Sequence, residues 1–156
     1  MSYQQLKKRT EGFTIIEVLI VLAIAGLILL IVFLAVPALQ RNSRNTQRTN
    51  DAALITGAIN DCLPNKNGNA DSCDTFAELT TAGTFDSTKI KQLTAQVAGA
   101  GVLASGSLPA ESVQIGRTFK CGSDGVATAT GASNRQMVVT YEVETTSGAV
   151  VRCLDV

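Results

Sequence analysis

Residues 12–24 read GFTIIEVLIVLAI, and one side chain in that stretch is out of place. Glu17 is the only charged residue among the 27 positions from Phe13 to Leu39. An ionised carboxylate in a bilayer or a dry core is expensive unless a partner sits beside it. The identity of that partner decides what the whole run is for.

Working outward, Val18 to Leu39 is 22 residues without a charge. As a helix this run is about 33 Å long, against a hydrocarbon core of roughly 30 Å. It is long enough to span a membrane and too long for the core of a typical signal peptide. No small-x-small cleavage site follows it. The residues alone therefore predict an uncleaved anchor with 40–156 outside. Lys7, Lys8 and Arg9 precede the run and Arg41, Arg44 and Arg48 follow it, so flanking charge leaves the orientation open.

The remaining composition narrows the function classes. A chain of 156 residues has room for one globular domain beside the anchor. Lys and Arg number 13, and so do Asp and Glu, so no overall field favours nucleic acid. There is no His and no Trp, which removes the commonest general base and metal ligand. With no nucleophile elbow and no clustered carboxylates either, the sequence argues against an enzyme and calls for no cofactor. Beyond Leu39 the chain is rich in Thr, Ala, Gly, Ser and Asn, the mark of a small head with a thin core that benefits from staples.

Four segments follow. Residues 1–12 are polar and basic. Residues 13 to about 63 form one long helix, apolar all round over 13–39 and amphipathic over 40–63. In that second half Ala52, Ile55, Ile59 and Cys62 or Leu63 recur at helical spacing. Arg41, Arg44 and Arg48 share a face at i, i+3 and i+7, expected to be solvated or locally paired. Pro64 and NKNGNADS (65–72) end the helix and open the head, 64–156.

Within the head, Thr75 and Glu78 have capping-box spacing, and Gly83 stops a short helix near 76–82. Asp86 or Ser87 caps a further helical stretch to about Val97. AGAGVLASGSLPAES (98–112) reads as a flexible connector. Strand patterns then occupy 113–121, 135–145 and 149–156, with Thr146-Ser147-Gly148 as a hairpin connection. The fold class is α+β: a long helix with a protruding apolar half, its second half packed on a small antiparallel sheet.

Cys62, Cys73, Cys121 and Cys153 allow three pairings. Local order favours Cys62–Cys73, closing the loop after the long helix, and Cys121–Cys153, tying the strand region to the C-terminal strand. Each closed loop contributes about 3–4 kcal/mol in the chain-entropy account. Zinc is a poor alternative, because there is no CxxC and no His.

Three weaker patterns carry little. Gly99 to Ala104 matches GxGxxA without a preceding strand, so a connector is the plainer account. Asn65, Asn67, Asn69 and Asp71 are spaced like the first ligands of a calcium loop, but Gly68 is misplaced and Phe76 stands where a bidentate glutamate belongs. The three arginines lack the interleaved aromatics of a single-strand nucleic-acid binder.

The ordered set of a basic leader, Gly12, Phe13, Glu17 five residues after the glycine, an apolar helix, and then Gly26 and Pro37 resembles the N-terminus of type IV pilins and pseudopilins. The resemblance is strong over residues 7–40 and architectural beyond. It implies cleavage between Gly12 and Phe13 by a membrane prepilin peptidase on the cytoplasmic side, with N-methylation of Phe13. That fixes the orientation: a single-pass inner-membrane precursor, later a surface filament.

The resemblance also gives Glu17 a partner. Cleavage creates a cationic α-amine on Phe13, one turn and about 6 Å from Glu17 along the helix. Glu17 then pairs with its own amine or, as the family's assembly mechanism implies and as is favoured here, with that of an axially shifted neighbour. Partners implied are copies of the chain itself, an assembly platform and an assembly ATPase. The function implied is a type IV pilus subunit for adhesion, twitching motility or DNA uptake. The alternatives are a pseudopilin or minor pilin of a secretion or competence apparatus, and a signal-anchored protein that never polymerises. Pro37 lies further beyond Gly26 than in commoner pilins. A kink or unravelled segment is expected just before it, and loss of helix within 26–37 on assembly.

Overall fold

The computed structural model describes residues 12–96, 108–122 and 135–156. The leader before Gly12 and the GxGxxA pattern lie outside the described residues. The chain divides into two compact units at Leu39 and Gln40.

Helix α1 runs over Ile15–Asn65, 51 residues. Its secondary structure is unbroken at Gly26 and at Pro37. The unravelled segment expected just before Pro37 is therefore not a feature of the single chain. Proline removes one N–H, the donor for the Phe33 carbonyl, and the turns on either side hold the helix across that gap.

In the second unit α1 buries Ala52, Ile55, Ala58, Ile59 and Cys62, the stripe that helical spacing marks. The C-terminus closes in a Schellman motif. The Gly68 N–H donates to the Leu63 carbonyl at 2.7 Å and the Asn67 N–H to the Pro64 carbonyl at 3.2 Å. Asn67 takes the left-handed conformation at φ 54° and Gly68 follows at φ 75°. Asparagine thus fills the position that glycine usually takes.

Helix α2, Phe76–Thr81, has the reciprocal capping box of Thr75 and Glu78 and stops at Gly83, φ 74°. Of the helical stretch expected from Asp86 to about Val97, the described residues to Gln96 form no α-helix. Asp86 caps only a 3-10 turn, Ser87–Lys89. The reason is Asp51, a buried carboxylate on α1. Its Oδ2 accepts the backbone N–H groups of Lys91, Gln92 and Leu93 at 3.0, 2.5 and 3.0 Å. Three successive N–H groups converging on one oxygen cannot also serve a helical ladder.

The sheet has four strands in the order β1 (Ala95–Gln96), β2 (Ser112–Arg117), β3 (Met137–Thr145) and β4 (Gly148–Asp155). It is mixed, not wholly antiparallel as the sequence suggested. β1 runs parallel to β2, and the other pairs are antiparallel. The connection over 97–111 has the dozen or more residues that a parallel return requires. The two-residue β1 has no alternation to betray it. β2 ends at Arg117, short of the 121 expected, because Thr118 turns the backbone to φ 60°.

β3 and β4 join through Thr146 and Ser147, with Thr145 paired to Gly148. Val113, Ile115, Met137, Val139 and Tyr141 pack in one core with the stripe of α1. Disulfides Cys62–Cys73 and Cys121–Cys153 have Cα separations of 6.0 and 5.7 Å. The first ties the end of α1 to the loop before α2, and the second ties the segment after β2 to β4.

Candidate assembly and processing site

Every residue from Gly12 to Gln40 is exposed in the single chain. Phe13 is 89 % exposed, and among the described residues nineteen further large apolar side chains stand open, eighteen of them between Ile15 and Leu39. A continuous apolar cylinder of this length has to be covered by lipid or by other chains.

Glu17 is not idle within it. Its Oε2 accepts the Thr14 backbone N–H at 2.8 Å and the Thr14 hydroxyl at 2.7 Å. In return the Thr14 Oγ1 accepts the Glu17 N–H at 3.3 Å. Because α1 begins at Ile15, Thr14 and Glu17 stand at the N-cap and N3 positions of a capping box. The Thr-x-x-Glu spacing that signals it was present in the sequence, masked by the prominence of the lone charge. Cutting the Gly12–Phe13 bond leaves these bonds in place, since the Thr14 N–H belongs to the next peptide. Glu17 thus holds one partner before it finds another.

The remaining positions separate cleanly. Gly26 faces open space, with nothing within 4 Å of where a Cβ would stand. No contact in the single chain demands glycine there.

The arginine face of α1 has a different destiny. Arg44 forms a two-point pair with Glu144 of β3, Nε to Oε1 at 3.2 Å and Nη2 to Oε2 at 2.5 Å. Arg48, 4 % exposed, adds a contact to Glu144 Oε1 at 3.0 Å and donates to the Glu142 carbonyl at 3.3 Å. The Arg44 guanidinium, and secondarily Arg48, holds the Glu144 carboxyl below the usual carboxylate range. Asn45 completes the dock: its amide donates to the Glu144 carbonyl at 2.7 Å and accepts the Glu144 N–H at 2.8 Å. That side chain replaces a missing strand beside β3, beyond the end of β2. Of the three arginines, then, two are locally paired inside the head.

Two members of the asparagine-rich loop are bound internally. Asn69 Oδ1 accepts the Asp71 N–H at 3.1 Å, and Asp71 is ion-paired with Arg117.

Comparison with known proteins agrees with the N-terminal reading. The family model described as the prokaryotic N-terminal methylation motif matches residues 7–33. No curated protein and no solved structure gives a match. The motif supports a type IV pilin or pseudopilin class, which is structural and not an enzyme family. It implies processing by a prepilin peptidase and fits a precursor anchored in the inner membrane. Over residues 7–33 the chain carries the prokaryotic N-terminal methylation motif, the prepilin signal of type IV pilins and pseudopilins.

Proposed function

We propose that the chain is a structural subunit of a type IV pilus, cut between Gly12 and Phe13, N-methylated on Phe13 and polymerised through residues 13–39. The observation that carries this reading is the unbroken exposure of that apolar segment beneath a prepilin signal. Bundling with identical helices covers the cylinder once it leaves the lipid. A head-to-tail contact that does not close on itself builds a filament. Within the filament Glu17 exchanges its Thr14 cap for the Phe13 amine of a neighbouring subunit. Away from water a charge-assisted pair outweighs a neutral cap. The exchange also sets the axial stagger between subunits. Gly26 and Pro37 mark where α1 gives up regular helix during that packing. An assembly platform and its ATPase supply the work of extraction.

Mass spectrometry of filaments sheared from the cell surface tests this. The expected result is an abundant chain beginning at N-methylated Phe13. A processed chain confined to the envelope points instead to a pseudopilin. An intact Met1 precursor that stays in membranes overturns both.

A further inference from the structure

At the C-terminal end of α1 the head carries two open clefts, of about 570 and 600 Å³, which share the Asn67–Gly68 turn. Lys66, Asn69 and Thr118 line the first, and Asn60 and Arg135 line the second. The turn they share is stiff. The Schellman bonds fix its backbone, the Cys62–Cys73 disulfide ties its base, and Ala70 is buried behind it. Gly68 suits its positive φ, and the Arg135 Nε lies 3.1 Å from where a Cβ would stand. Thr118, a β-branched residue at φ 60°, lies in the first cleft. Such a conformation persists only where its surroundings enforce it.

The charges in these clefts are unevenly spent. Arg117 is committed to Asp71 and, at 2.6 Å, to Asp74. Among the described residues neither Lys66 nor Arg135 enters an ion pair. Each cleft therefore offers one uncommitted cation beside amide or hydroxyl groups. Between Leu63 and Pro64 the second cleft also has an apolar ledge.

We propose that these paired clefts bind an acidic polysaccharide lying across the Asn67–Gly68 turn. Two cations in clefts that share one turn suit a ligand whose negative charges repeat along a chain. A guanidinium fork matches a sugar carboxylate. The amides match hydroxyls, and the Leu63–Pro64 ledge matches the C–H face of a sugar ring. Nucleic acid fits less well, since among the described residues no aromatic side chain lines either cleft to stack a base. The site is built within the head alone and does not depend on polymerisation. It lies at the end of α1, 25 residues and about 38 Å along the helix from Gln40.

The test is fluorescence anisotropy with labelled polygalacturonate, on the full chain in detergent micelles at physiological ionic strength. Saturable binding is expected, with none to neutral dextran. Arg135→Gln should weaken it about tenfold, as should Lys66→Gln, a change that leaves the Gly68 contact intact. Lys89→Gln, on the 3-10 turn of the same head, should change it by less than about twofold. Equal binding to dextran, an equal loss in Lys89→Gln, or full binding by the double variant Lys66→Gln/Arg135→Gln overturns the proposal. Tighter binding of oligothymidylate than of polygalacturonate overturns it in favour of nucleic acid.

Discussion

Glu17 shows how one residue serves two states of the same chain. In the single chain its carboxylate satisfies the Thr14 N–H and hydroxyl at the start of α1. In the proposed filament it faces a cation that the encoded sequence does not contain. Thr14→Ala removes half of the capping box, and loss of such a cap costs about 0.5–2 kcal/mol. The expected result is faster amide hydrogen exchange at Glu17 and Val18 in micelles, with processing unchanged. Asp51 is the other decisive carboxylate, buried and accepting three backbone N–H groups. Asp51→Ala strands all three donors. It should lower head stability by about 3 kcal/mol or more in denaturant titration, since each unsatisfied buried group costs about 1–3 kcal/mol. Nothing in the periodicity of α1 marks Asp51 for this role, because its partners lie forty residues away.

At the scale of elements, the head stands or falls on how α1 docks against β3. An apolar stripe supplies the area, while Arg44, Asn45 and Arg48 grip Glu144 and fix the register. Because the folded Glu144 carboxyl sits below its ordinary range, its contribution is full above the unfolded pKa. That contribution disappears as pH falls through the folded value. Thermal melts of the wild type should lose stability below about pH 4, the ordinary carboxylate range. Glu144→Gln should start lower and fall less over that window; parallel curves for the two proteins would remove Glu144 from the account. The capping box of α2, its glycine stop and the β3–β4 hairpin were legible because each rests on residues close in sequence. The parallel β1 was not, since two residues leave no pattern.

For the whole molecule the two units answer to different solvents. The head is closed by its core and two disulfides, whereas residues 12–39 stand exposed in the single chain. Glu17→Ala should therefore insert and be processed normally yet yield few or no surface filaments by electron microscopy. Normal filaments would dismiss the charge-pairing account. A filament map should show helix lost somewhere within 26–37, although the single chain keeps it; unbroken helical hydrogen bonding there would refute the packing role given to Gly26 and Pro37.

By itself the sequence determined the apolar run, the long helix, its buried stripe and the lone charge, because these follow from periodicity and composition along a continuous run. Its ordered residues 7–33 also determined the prepilin signal. Only the tertiary structure decided that Arg44 and Arg48 share Glu144, that Asp51 unwinds the stretch after Ile90, and that β1 joins in parallel. Those outcomes depend on groups far apart in the chain meeting where water is scarce, and no local pattern records such meetings.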